Sequence, residues 1–353
     1  MKQNRWSNSM SSRVVLYIIS ILAVATIIVG CQDSTDKGEF KVAMLLPADI
    51  TDGGWNTLAH QGLMLIEKEL GATVKHVISR THTDQEEHFR FYADKGFDLI
   101  IGHGYEFQGP AKAVAPDFLD TIFITSSGGT IEKNISPMNL RVEQPAYLCG
   151  IIAGMMTKEN KIGVIGGEDI PSVESTFIAF QEGAKSVNPD VELRTGWVGN
   201  WNDAGRGKEI ALAQINEGVD FLFPNADAAG LGAYEAAEVA QKDGKTVYTF
   251  GANLDKSDIS PETVLANAVV TPKVFVQIAK IVKEAKTKPD GKFNPQIYTF
   301  NMLTDNAISF NYNPEMKDKI PQEVIDAVEE AKAKILAGEL EVPQIDFTAE
   351  KQE

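Results

Sequence analysis

At 353 residues the chain is longer than one ordinary core needs and suits two domains of typical size. Hydrophobic residues at 43% and charged residues at 23% are the proportions of a globular protein, not of a disordered or multispanning one. A formal net charge of −16 excludes nucleic acid as an expected partner, because nothing offsets phosphate repulsion.

The beginning of the chain differs from the rest. Lys2, Arg5 and Arg13 precede an apolar run over 14–29 that only Ser20 and Thr26 interrupt, the order of a secretory signal peptide. The run falls short of the roughly 20 residues that cross a bilayer comfortably. It ends in Ile28-Val29-Gly30-Cys31, which looks like a bacterial lipobox, and a polar stretch from Gln32 to Gly38 follows. The expectation is a signal peptide over 1–30, lipid on Cys31 and a flexible tether over 31–39. The folded part would then be exported and held to the membrane by lipid, facing the periplasm or the cell exterior. The alternative is an uncleaved signal anchor with an incidental cysteine. The second cysteine, Cys149, lies among Ala146, Leu148, Gly150 and Ile151 and reads as a small buried residue. With Cys31 taken by lipid, no intrachain disulfide is expected.

Beyond the tether, short β-branched runs alternate with amphipathic stretches, the pattern of parallel sheets with crossover helices. Strands are predicted over 41–46, 73–78, 98–102 and 121–125, with helices over 55–70 and 84–95 between them. A second series has strands over 161–165, 191–196, 220–223 and 246–250 and helices over 172–186, 205–217 and 230–242. One more strand over 264–269 leads into a helix over 272–286, where Pro272 fits the first turn. Two short strands over 296–300 and 307–312 precede a last helix over 321–337, which Gly338 closes.

The two series are related. Lys41-Val42, Leu45 and Asp49-Ile50 recur about 120 residues later as Lys161-Ile162, Ile165 and Asp169-Ile170. Gly96-Phe97-Asp98-Leu99-Ile100 is echoed by Gly218-Val219-Asp220-Phe221-Leu222, and Thr121-Ile122-Phe123 by Thr246-Val247-Tyr248. Two similarly wound halves imply an α/β protein of two lobes, each a doubly wound parallel sheet flanked by helices. The expected division is 40–143 plus 257–290 for the first lobe and 144–256 plus 291–347 for the second, so that the chain crosses between them more than once.

Ligands of open parallel sheets bind outside the carboxyl ends of the strands. The loops there carry Asp52, Trp55 and Asn56; then Tyr105, Glu106 and Phe107; then Ser126-Ser127-Gly128-Gly129. In the second half they carry Trp201 and Asp203, Asn225 and Asp227, and Asn253 and Asp255. Two lobes that each offer a tryptophan could hold a flat ring between them, with Asn and Asp groups taking its edge. Enzyme signatures are missing: there is no G-x-S-x-G, G-x-x-x-x-G-K-[ST] or H-E-x-x-H, and Gly230-Leu231-Gly232 lacks the third glycine of a dinucleotide fingerprint. His76, His82 and His88 do not share one helix face, so no metal site is expected, and no cofactor either. Asp52 with Asp203 or Asp255 could do acid–base work only if the fold fixed their separation.

Several of these segments, in order, resemble the basic membrane protein family of ABC-transporter substrate-binding lipoproteins, and within it the purine nucleoside receptors. They are Asp52-Gly53-Gly54-Trp55-Asn56, the stretch from Ala146 to Gly154, Thr157-Lys158 with Lys161-Ile162-Gly163, Gly167 to Pro171, Asn188-Pro189 and Gly205 to Ala211. The resemblance implies a type I periplasmic-binding-protein fold, a monomer that closes on a purine-like ligand, and delivery to a permease and its ATPase. It places the family's stacking aromatics on Trp55 and Trp201, with Asn56 and Asp203 beside them. Asn253 and Ser126 stand where the nucleoside receptors carry aspartates. Thr271-Pro272 replaces an expected lysine, and the region of Pro47 replaces an early aspartate. A cleft that keeps the aromatic pair and loses those charges fits a free nucleobase better than a nucleoside. A ligand sensor without a transport partner, or a receptor for another flat or sugar-like molecule, are the alternatives.

Overall fold

The computed structural model describes residues 39–287, 292–304 and 307–346. The signal-like segment, Cys31 and the tether up to Gly38 lie outside the described residues. Two six-stranded sheets are built on one plan. In the first, β1 (Lys41–Leu46) is central, with β2 (Thr73–Ile78) on one side and β3 (Leu99–Gly102), β4 (Ile122–Ser126) and β5 (Ile135–Leu140) on the other. In the second, β6 (Lys161–Gly166) takes the place of β1. It is flanked by β7 (Glu192–Trp197) on one side and by β8 (Phe221–Asn225), β9 (Tyr248–Asn253) and β10 (Val264–Val270) on the other. The pairing registers correspond as well: Lys41 sits beside Thr73, and its repeat Lys161 beside Glu192. The duplication legible in the sequence is thus a duplication of topology.

All these pairs are parallel. Parallel strands have helices on both faces, which is why β1, β3 and β8 read as apolar runs rather than alternating ones, and β10 is buried throughout with only Asn267 polar. The helices are α1 (Trp55–Leu70), α2 (His82–Asp94), α3 (Gln108–Val114), α4 (Glu143–Met156), α5 (Pro171–Lys185), α6 (Ala204–Asn216), α7 (Asp227–Lys242), α8 (Lys273–Thr287) and α9 (Gln322–Ala337). Thr81 and Asp84 form a reciprocal capping box at α2, and Gly338 closes α9 at φ 73°, in the left-handed region that favours glycine.

Three elements lie where the sequence pattern gave no strand or helix, for physical reasons. Strand β5 contains Pro137, normally a breaker, but only β4 borders the strand there; its other neighbour, β11 (Tyr298–Phe300), begins opposite Met138. Helix α4 contains Pro145 in its first turn, where no intrahelical N–H bond is needed. From Glu143 to Gly154 α4 is buried on every side, Cys149 included, so it has no polar face to give a helical period. The short α3 follows a single 3₁₀ turn at Tyr105–Phe107.

The chain crosses between lobes three times: from β5 into α4, from β10 into α8, and from β11 to β12 (Ile308–Tyr312). The expected division is corrected at two places. Strand β10, assigned to the first lobe, lies in the second sheet between β9 and the antiparallel β12. Strand β11, assigned to the second, pairs with β5 of the first sheet. The reason is that crossing segments lie side by side: Arg141 N–H donates to Phe300 O (2.8 Å) and Thr271 N–H to Ala307 O (2.9 Å). A further bond runs from Met302 N–H to Gln144 Oε1 (2.9 Å). Three adjacent crossings form a hinge at one edge of the cleft between the lobes.

Candidate ligand-binding cleft

The first turn of α1 builds one wall. No side chain caps it from the ordinary N-cap position, which is Gly54. Asp52 instead folds beneath the turn and accepts from Gly54 N–H, Asn56 N–H and Thr57 N–H, each at 2.9 Å, and from Asn56 Nδ2 at 2.7 Å. Burial pushes the Asp52 carboxyl up, but these donors together outweigh it and hold the group below its ordinary value. The remaining orphan, Trp55 N–H, donates to Asp227 Oδ1 at 2.9 Å, so a carboxylate from the second lobe caps a helix of the first. Lys256 Nζ, also from the second lobe, donates to Gly53 O. The lobes therefore touch directly at this end of the cleft.

The Asp227 carboxyl is pushed up to about 7, first by burial and then by the Asp52 charge, against the pull of Trp55 N–H and Lys256. Burial lowers the Lys256 ammonium, while Asp227, Asp52 and Asp255 raise it. The native chain keeps a proton on Asp227 that an unfolded chain releases near pH 4. Stability from this group therefore falls as pH rises from about 4 to about 7 and is level above. Thermal unfolding of the wild type should lose more of its midpoint between pH 5 and pH 8 than unfolding of Asp227→Asn; parallel curves would refute the assignment.

Trp55 projects from that turn into the cleft and is backed by His103, their rings stacked at 4.2 Å and 19°. His103 is fully buried, and burial drops its pKa to about 3, so it is neutral. Its Nε2 lies 2.9 Å from Trp55 O and must donate, because a carbonyl only accepts. Nδ1 then accepts from Ser126 Oγ at 2.9 Å. The Ser126–His103 pair thus holds Trp55 by backbone and by ring. On the opposite lobe Trp201 lies against Gly167: a Cβ there would come within 2.2 Å of the indole. Trp201 O accepts from Ala229 N–H at 2.9 Å, which ties its loop to α7.

Between these walls is a cleft whose space, open solvent included, is about 770 Å3. Trp55, Asn56, Tyr105 and Glu106 line it from the first lobe, and Trp201, Asn225, Asp227 and Asn253 from the second. Asn253, held at φ 66°, donates to Asn225 Oδ1 (3.1 Å), and Asn225 donates to Thr176 Oγ1 (3.2 Å). This relay orients amide groups along the floor of the second lobe. Glu106 is pushed up to about 7, chiefly by burial, with Glu168 adding to the effect.

Four residues expected at the site are elsewhere. Phe107 is fully buried in the first-lobe core, its ring 6.1 Å from Phe89. Asp203 is exposed and caps α6 by accepting from Arg206 N–H at 2.9 Å. Asp255 is exposed and accepts from Ser257 N–H in a turn (2.9 Å). Asp52 is the brace under α1 and does not line the cleft. Conversely, Ile170, Ser172, Val173 and Thr176 line the cleft at the start of α5. They follow β6, so the strand-end rule that located the other loops also points to them. Leu140, Val142 and Glu143 line it from the hinge, and no local pattern marks them.

Residues 40–346 match the family model Bmp, described as "ABC transporter substrate-binding protein PnrA-like". The chain belongs to the Bmp family. Bmp relatives match along most of it. An ABC transporter nucleoside-binding protein of Lactococcus lactis is 27% identical over 95% of this chain and 99% of its own length. The transcriptional activator protein med of Bacillus subtilis is 29% identical over 72% of this chain and 79% of its own. An ABC transporter solute-binding protein of Aeropyrum pernix superposes with a TM-score of 0.76 at 21% identity, covering 87% of this chain and 94% of that one. The fold is that of type I periplasmic-binding proteins. As a Bmp protein this chain is the substrate-binding component of an ABC transporter, and its cleft is built to hold a small molecule.

Proposed function

We propose that this chain is a lipid-anchored receptor that captures a purine-like ring between its lobes, favouring the free base over the nucleoside, and hands it to a permease. The observation that carries this reading is the interlobe cleft with one tryptophan from each lobe in its lining. Each indole offers a flat apolar face, and stacking adds roughly 0.5–1.5 kcal/mol per aromatic pair beyond burial. Asn56, Asn225 and Asn253 add amide groups to the lining, held in fixed orientation by Asp52, Thr176 and one another. The preference for a base is supported by what stands where nucleoside receptors are expected to carry charge. Ser126 is engaged with His103, Asn253 is engaged with Asn225, and Thr271 lies in the hinge. Anchoring would follow from lipid on Cys31.

Intrinsic fluorescence of the chain from Gln32 onward, titrated with adenine, hypoxanthine, guanine and their nucleosides, tests the reading. Trp55, Trp201 and Trp197 are the tryptophans beyond residue 31. A saturable response to a purine is expected; silence across the panel would void the purine assignment. The med relative favours a second reading, a ligand-sensing lipoprotein without transport. It predicts that loss of the associated permease leaves the response to ligand intact.

A further inference from the structure

Every charged side chain that lines the cleft is a carboxylate: Glu106, Glu143 and Asp227. The nearest cations do not line the cleft. Lys256 is buried behind Asp227 with its ammonium on Gly53 O, and Arg141 gives a guanidinium N–H to Val342 O at 3.0 Å while its Nε pairs with Glu143 from behind the cleft wall. The carboxylates are positioned with care. A Cβ at residue 104 would lie 2.2 Å from the Glu106 carboxylate, and one at residue 54 would lie 2.3 Å from Asp227 Oδ1, so both acids occupy room that glycines leave. Glu143 is 2% exposed and accepts from Ser175 Oγ at 2.8 Å, but its Oε2 has no hydrogen-bond partner among the described residues; Arg141 Nε stands off at 3.6 Å. A buried carboxylate oxygen without a donor is costly, and it borders the cleft.

We propose that Glu106, Glu143 and Asp227 make the cleft selective for a ring whose edge presents N–H donors or a positive charge, and that they exclude anionic groups. This deepens the receptor reading above and rests on it. In their ionised form, which Glu106 and Asp227 reach above about pH 7, these carboxylates only accept, so they satisfy amino and ring N–H groups and leave carbonyl edges facing like charge. Burial raises the proton affinity of Asp227 and Glu106 first, and repulsion from neighbouring carboxylates adds to it, from Asp52 and then Glu106 on Asp227 and from Glu168 on Glu106. A donor-rich or cationic ligand relieves that repulsion, while a phosphate or an acidic oxo-purine adds to it. The acidic chain as a whole draws cations toward the cleft.

The test is calorimetric titration of the chain from Gln32 onward with guanine, hypoxanthine and xanthine, which differ only in an amino group, a hydrogen or an oxo group at one carbon. Guanine should bind on the order of ten- to a hundred-fold tighter than xanthine, the scale of a hydrogen bond to a charged group. Glu106→Gln and Glu143→Gln should each narrow that ratio, a readout that a purely structural role would not move. Guanosine should bind and its 5′-monophosphate should not. Xanthine or the monophosphate binding as well as guanine or guanosine overturns the proposal while leaving a purine receptor in place. If no purine binds, the receptor reading fails by itself, and 1-methylnicotinamide against nicotinate, equal rings of opposite charge, decides the proposal. Binding of the cation alone supports it; binding of the anion, or of neither, overturns it.

Discussion

Replacing Gly54 by alanine should hold the two lobes apart. The obstacle comes from across the cleft. An added Cβ would stand 2.3 Å from Asp227 Oδ1 and 3.1 Å from Asp227 Cα, and the second contact is with backbone that a side-chain rotation cannot clear. The arrangement that places Asp227 against the first turn of α1 is penalised. Closure would lose the bond from Trp55 N–H to Asp227, and a hydrogen bond to a charged group is worth about 1.5–3 kcal/mol. Ligand that touches both lobes should bind on the order of ten- to a hundred-fold more weakly. Small-angle scattering with saturating ligand should show a contracted wild type and a variant that stays extended. A Gly54→Ala chain that contracts and binds like the wild type would show that the helix-capping contact does not govern closure.

Trp201→Ala should cost the ligand more than about 2 kcal/mol, the usual scale for a tryptophan at the centre of a binding site, or a loss of roughly 30-fold or more. Trp201 is half-buried, and the bond from Ala229 N–H to its carbonyl does not involve the indole, so the loop should keep its course. Trp55→Ala should behave differently. It also removes the ring that packs on the buried His103, so affinity and melting temperature should fall together. Calorimetry and thermal unfolding on the two variants separate these outcomes. A Trp201→Ala protein of unchanged affinity would remove the second wall from the account.

The contrast between these two tryptophans also shows what was legible before the fold. Both stand at strand ends in corresponding halves, so the repeat and the strand-end rule found them, with Asn56, Asn225, Asp227 and Asn253 beside them. Sequence could not separate an acid that faces the ligand from one that supports the chain. Asp203 and Asp227 both sit at helix starts. The first caps its own helix in solvent, and the second reaches over to cap α1 of the other lobe. That difference depends on lobe placement, which no local spacing encodes. Glu143 and Leu140 were illegible for the same reason, since they join the cleft only because the crossings run along its edge. Among the elements, the buried parallel strands announced themselves as apolar runs. Strand β5 and helix α4 carry Pro137 and Pro145 at positions where proline does no harm, which only strand neighbours and helix phase reveal.

The claim at the centre of this account is that the cleft closes on a flat purine ring without needing a sugar. Calorimetric titration of the chain from Gln32 onward with guanine and guanosine, side by side, tests it most directly. The account predicts that the free base binds at least as tightly as the nucleoside, with a negative heat-capacity change from burial between Trp55 and Trp201. A nucleoside bound far more tightly than its base would contradict it, because the ribose would then carry the recognition assigned here to the ring.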